Sequence, residues 1–317
     1  MNTLDSLQIH ISKNLRLALF FSLFLYTLGL IVLLPLAGII MTGFYGLHFS
    51  ELTQILTGNF AIHPDGIQIF RLMQAISQVV TWGVGGLVMT WLMGIFPQVL
   101  GFHKPVPLLS VFLPVLIIFT SIPLVQAVHI SPELSIWPEM WKEWLSQWAS
   151  EETASQEHLM VILGEQKIST LLVNLFIFAL LPAVCEELFF RGFLQKRLSD
   201  TWSPQIAIWT AAIIFSFAHF QFLSFFSRLL LAWLLGYFFH TTHRLFPCII
   251  AHFGYNAATI LLVYFSSGTN STAFTPFVGG VGIDWEIVLL SAVATGILLW
   301  IFTKLYKSPD SLQITHE

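Results

Sequence analysis

A stretch of apolar helices from Leu171 to Leu262 carries two adjacent carboxylates, Glu186 and Glu187, together with Arg191, His219, His252 and Asn256. Ionisable groups at bilayer depth are costly and normally face a protein interior or a water-filled cavity, where they mark function. In Cys185-Glu186-Glu187-Leu188-Phe189-Phe190-Arg191 the second glutamate and the arginine are four apart, so they share a helical face and can pair. Glu186 lies about 100° around the helix from Glu187 and has no local cation. A carboxylate whose ionisation is opposed by burial is what a general base near neutral pH requires. Phe215-Ser216-Phe217-Ala218-His219 and His252-Phe253-Gly254-Tyr255-Asn256 follow on later helices, and in the second the i and i+4 side chains face the same way. Singly, these residues have plainer readings: the glutamates as solvated groups at a helix end, each histidine as a hydrogen-bonded packing residue. Together they supply a base, imidazoles that can position a water or bind a metal, and donors for an oxyanion.

The elements that must hold these groups are membrane helices. Of 317 residues, 56% are hydrophobic and 9% charged, against about 25% charged in an ordinary soluble domain, and the mean hydropathy is +0.79. The expected fold is all-α and polytopic. Eight apolar windows of spanning length fall at about 17–41, 73–97, 107–129, 169–190, 204–222, 226–242, 246–266 and 286–306. Lys13 and Arg16 precede the first, which is too long for a cleaved signal. With the N-terminus inside, nine Lys and Arg fall on the inner side and four (Arg71, Lys142, Lys167 and Arg228) on the outer, which predicts both termini in the cytoplasm of a plasma or bacterial inner membrane.

The outer loop 130–168 holds seven glutamates, and its Trp137, Trp141, Trp144 and Trp148 share one helical face, which predicts an interfacial amphipathic helix that caps the bundle. The chain divides accordingly into an N-terminal three-span region, 1–168, a core, 169–266, and a last span with its tail, 267–317. Cys185 and Cys248 are small core residues with no CxxC pair between them. A net charge of −4 gives no case for nucleic acid; the partners expected are the lipid bilayer and a membrane-associated protein or peptide.

The ordered set Glu186-Glu187-(three)-Arg191, Phe215-(three)-His219, His252-(three)-Asn256 resembles the CPBP intramembrane proteases, which include the type II CAAX prenyl endopeptidases and bacterial bacteriocin-processing and self-immunity proteins. The resemblance covers about 170–265. It implies endoproteolysis within or at the edge of the membrane. Glu186 then corresponds to the base that activates a water, His219 to its assistant, His252 and Asn256 to an oxyanion-stabilising pair, and Glu187 with Arg191 to a structural ion pair beside the site; Phe215 packs behind His219. Members of the family are commonly labelled metalloproteases, and Glu186, His219 and His252 could hold a catalytic Zn2+. No HExxH is present, and a glutamate that ligates zinc is not free to act as the base, so a glutamate-activated water without an obligatory metal is the reading preferred. Two other classes share the scaffold: a non-catalytic immunity or interaction protein, and a proton-coupled transporter. The transporter would show an inverted repeat, and none is visible.

One expectation is awkward. Straight spans place Glu186 and His252 near the cytoplasmic face but His219 about 22 Å further along from Pro204.

Overall fold

The prolines and glycines of the apolar segments decide where the helices widen, end and touch. In the computed structural model, which describes residues 14–96, 98–101, 107–129, 138–266 and 284–306, the regular elements are helical and no strand occurs among the described residues. The order is α1 (Leu15–Tyr45), α2 (Phe49–Leu56), α3 (Gly66–Leu92), α4 (Leu108–Ala127), α5 (Glu139–Leu163), α6 (Ile168–Ser199), α7 (Pro204–Phe217), α8 (Phe225–Thr242), α9 (Leu245–Ser266) and α10 (Trp285–Tyr306).

Six of these, α1, α3, α4, α6, α9 and α10, are long and apolar enough to cross a membrane. Their outward faces carry large exposed apolar side chains, such as Phe20, Ile31 and Ile39 on α1 and Leu289 and Val293 on α10. In water such faces would be association surfaces; against acyl chains they are at home. Against the eight spans expected, six helices meet the length and composition of a span among the described residues. The windows 204–222 and 226–242 become α7 and α8, of 14 and 18 residues. Fourteen residues reach about 21 Å against a hydrocarbon layer of about 30 Å, and Arg228 and His240 dilute the apolar character of α8. These two helices pack on each other and on the inner helices.

Three of the spanning helices contain wide π turns: Gly29–Leu33 in α1, Val79–Gly83 in α3, and both Leu175–Leu180 and Leu188–Gln195 in α6. Pro35 and Pro182 stand two residues past the ends of two of them. Proline removes an N–H and crowds the carbonyl one turn back, and a wider turn relieves the clash. Between α3 and α6 the glycines allow close approach: a Cβ on Gly86 would meet the backbone N of Phe189 at 2.8 Å, and one on Gly83 would meet Cys185 Sγ at 2.9 Å. Small residues at helix interfaces are how membrane helices gain contact area. Here they press α3 against the turn of α6 that carries both glutamates.

The tryptophan-bearing segment is helical as its spacing predicts, over Glu139–Leu163; Trp137 and Glu133 lie outside the described residues. Trp144 and Trp148 close on Phe222, with ring centroids 5.4 and 4.7 Å away, so α5 leans on the turn between α7 and α8. Of the four cations assigned to the outer side, Lys142 lies in α5, and Arg71 and Arg228 lie in α3 and α8, which pack within the bundle. Arg71 is buried in α3, where it donates to Asn174 Oδ1 and the Ile162 carbonyl, both at 2.9 Å, and Arg228 belongs to the first turn of α8.

Candidate active site

α6 runs on to Ser199, nine residues past the expected end of that span, and this resolves the awkward depth of His219. Glu186 is therefore about 20 Å from the far end of α6, and His219 about 22 Å from the start of α7. The two meet at one level.

Glu186 is 3% exposed, Glu187 0% and Arg191 1%. The four-residue spacing closes as read: Arg191 Nη1 donates to Glu187 Oε1 at 2.9 Å. Arg191 Nη2 donates to the Ala232 carbonyl of α8 at 2.9 Å, and its guanidinium stands 4.9 Å from the centre of the Phe215 ring. Glu187 does more than the sequence assigned to it. Its Oε1 also accepts from His252 Nδ1 at 2.9 Å, which fixes the imidazole tautomer and turns Nε2 away from the ion pair. Because a carboxylate and a carbonyl oxygen only accept, Nδ1 of both histidines is the donor: His252 to Glu187, and His219 to the Phe215 carbonyl at 2.8 Å. In the neutral rings both Nε2 atoms are then acceptors. They face Glu186 Oε2, at 4.0 Å for His219 and 3.9 Å for His252.

α7 ends at Phe217, and the turn after it passes through Phe220 at φ 52°. A left-handed bulky residue is a strained conformation of the kind that clusters at functional sites, and it lies next to His219. Phe215, read as a backing residue, is more central: its ring lies 4.7 Å from that of His219 and 6.2 Å from that of His252.

Asn256, one turn beyond His252 on α9, lines a cavity of about 90 Å³ together with His219, His252, Tyr255, Arg228 and Phe215, and with Ile118, Leu231 and Leu235 as its apolar walls. Glu186 does not line it; the carboxylate is reached past the two imidazole edges. Four further polar residues were not picked out as site residues in the sequence. Gln78 of α3 sits beside the Glu186 carboxylate. Arg228 and Tyr255 line the cavity. Glu152 of α5 is 6% exposed, and its two oxygens accept from the Leu223 N–H at 2.8 Å and the Ser224 hydroxyl at 2.9 Å. It holds the turn that follows His219. His129, just past α4, is pushed below the usual imidazole range by burial, an effect that Glu152 opposes and Arg228 reinforces. A glutamine or arginine inside an apolar run was a signal available for Gln78 and Arg228; nothing distinguishes Glu152 from the other acids of its loop.

Ligands around a tetrahedral zinc at about 2.0–2.1 Å stand roughly 3.3 Å apart. The 3.9 and 4.0 Å between Glu186 and the two imidazoles are wider, and among the described residues no group of three His, Cys, Asp or Glu is arranged to hold a metal ion. As they stand, these donors do not fit zinc. Two hydrogen bonds of about 2.8 Å meeting near a right angle span about 4 Å, so the spacing suits a shared water.

No curated protein matches the chain, and no solved structure does. Residues 168–258, which hold both glutamates, Arg191, both histidines and Asn256, match the family model described as Rce1-like, the type II CAAX prenyl endopeptidases, the group named by the motif resemblance.

Proposed function

We propose that the protein is an intramembrane endopeptidase that hydrolyses a peptide bond of a membrane-associated protein or peptide with a water activated by Glu186. The observation that carries this reading is that two imidazole Nε2 atoms, 4.0 and 3.9 Å from one oxygen of Glu186, belong to histidines that line a cavity inside a membrane protein. Three acceptors facing one another call for a shared proton donor, and water supplies two protons. The family match over 168–258 supports the same chemistry.

In this mechanism Glu186 takes a proton from the water while its oxygen bonds to the scissile carbonyl carbon. Negative charge moves to the carbonyl oxygen, to which the Asn256 side-chain amide donates. His252 assists when its ring carries both protons, since Nε2 then becomes a donor and Glu187 offsets the charge. His219 orients the water through Nε2. Collapse of the tetrahedral species breaks the C–N bond, and the proton held by Glu186 passes to the departing amine. The residues that carry these roles all fall in the core proposed for 169–266.

The test compares wild type with Glu186→Gln and His252→Ala in detergent, with folding verified by thermal unfolding. Each is incubated with a panel of membrane-anchored peptides and with solubilised membrane proteome, and product termini are read by mass spectrometry. Wild type cleaves, and the variants fold but lose about 10²–10⁴-fold in rate. Undiminished cleavage by Glu186→Gln refutes the assignment.

A further inference from the structure

A glutamine of α3 gives half of its amide to the Glu186 carboxylate and leaves the other half unpaired. Gln78 stands immediately before the π turn Val79–Gly83, and its side-chain amide donates to Glu186. Its Oε1, shielded from solvent, meets no donor. An amide in an apolar helix is costly to bury, and half-paired it adds little to stability. The backbones nonetheless hold it beside the carboxylate. A Cβ on Gly83 would meet Cys185 Sγ at 2.9 Å, and one on Gly86 the Phe189 backbone N at 2.8 Å, so α3 is in close register with the turn of α6 that carries Glu186. π turns recur at functional sites, and this one begins at the residue after Gln78. Position 78 lies outside the segment 168–258 that matches the family model.

We propose that Gln78 is the positioning residue of the base: its amide holds the Glu186 carboxyl group with one oxygen towards the two imidazoles, both before and after the proton is taken from water. The proposal rests on the peptidase reading and deepens it. A carboxylate on a flexible stem turns about its last bond unless a partner stops it. The neutral rings of His219 and His252 present only acceptors to Glu186 Oε2, so the donor that fixes the group comes from elsewhere, and Gln78 supplies one from α3. While Glu186 is ionised, Nε2 of Gln78 donates to it. Once Glu186 has taken the proton it carries an O–H, and the same amide turned over presents Oε1, which is free to accept it. One side chain thus serves both forms of the base, and the atom left unpaired beside the carboxylate is the acceptor that the acid form needs.

The test replaces Gln78 by methionine, which keeps the length and removes both hydrogen-bonding atoms, in full-length protein in detergent. Three readouts are taken: thermal unfolding, kcat and KM on a peptide that wild type cleaves, and the infrared bands of the Glu186 carboxyl group, isolated as the difference between each protein and its Glu186→Gln counterpart. Gln78→Met unfolds at or above the wild-type temperature, because a half-paired buried amide has gone. Its kcat falls about 10–100-fold while KM stays within about twofold of wild type. The Glu186 bands move, with the C=O stretch of the acid form at higher wavenumber once its hydrogen bond is lost. Unchanged bands, an unchanged kcat or a loss carried by KM alone overturns the proposal. So does a variant that melts below wild type or does not fold, because an apolar side chain of the same length is rejected by an apolar helix only where the amide holds the fold. The infrared readout needs no substrate: bands that move in a protein that cleaves nothing sink the peptidase reading and leave Gln78 holding Glu186, whereas cleavage with unmoved bands does the reverse.

Discussion

Glu187 offers the sharpest perturbation, because two functions meet on one oxygen. Its Oε1 accepts from Arg191 Nη1 and from His252 Nδ1, each at 2.9 Å, and neither Glu187 nor Arg191 is more than 1% exposed. Glu187→Gln removes the carboxylate paired with a buried guanidinium, and breaking a buried pair this way costs roughly 3–5 kcal/mol. The pair is monodentate, since Glu187 Oε2 and Arg191 Nε have no hydrogen-bond partner; glutamine also keeps one acceptor, so the lower end of that range applies. Against a typical stability of about 5–15 kcal/mol the loss is readily seen by denaturant unfolding in mixed micelles, followed by tryptophan emission. Arg191→Met removes the other partner, and the double variant recovers about 1–3 kcal/mol of the summed losses. Activity separates the roles. Arg191→Met retains the carboxylate that holds the His252 ring and keeps part of its turnover, whereas Glu187→Gln weakens that hold and loses more. If Glu187→Gln unfolds with wild-type stability, or the two single effects simply add, the shared-oxygen argument is wrong.

Glu152→Ala strips acceptors from the Leu223 N–H and the Ser224 hydroxyl; a loss of about 1–3 kcal/mol, faster proteolysis of the α7–α8 turn and a slower peptidase are expected, and unchanged proteolysis would show that α5 does not hold the turn. Gly86→Ala drives a Cβ into the Phe189 backbone and destabilises by about 1–3 kcal/mol, while Gly43→Ala, with nothing within 4 Å, leaves the melting temperature in place; equal melting of the two would contradict the close α3–α6 contact. Glu165 is held below the usual carboxylate range chiefly by its hydrogen bond from Lys167. Its folded-state pKa being the lower one, its contribution is present above the unfolded pKa and fades as pH falls through the folded value. Glu165→Gln should therefore differ from wild type at neutral pH and converge with it in acid, and a gap that widened in acid would reverse the sign. Chelation should leave cleavage unchanged; stoichiometric zinc lost together with activity, and restored with it, would replace the metal-free mechanism.

The helical fold and the Glu187–Arg191 pair were legible in the sequence because both follow from local spacing: apolar windows of spanning length, and a carboxylate four residues from a guanidinium. What escaped depends on contacts between segments far apart in the chain. The second role of Glu187 requires α9 to deliver His252 across 65 residues, and no pattern around Glu187 encodes that. Two of the eight expected windows give helices that are shorter or more polar than a span: α7 is apolar but stops at Phe217, where the chain turns through Phe220, and α8 carries Arg228 and His240. The end of α6 was missed for the converse reason. Gln195, Lys196, Arg197 and Asp200 look like a cytoplasmic boundary, yet Gln195 and Arg197 are buried, with Gln195 donating to the Gly236 carbonyl of α8. Polar side chains inside a membrane protein therefore mark a boundary only when no other helix is there to receive them. The same reasoning that found Glu186 inside an apolar run applies to Gln78, Arg228 and Gln195. In this fold Gln78 sits beside the Glu186 carboxylate, Arg228 lines the cavity and Gln195 ties α6 to α8.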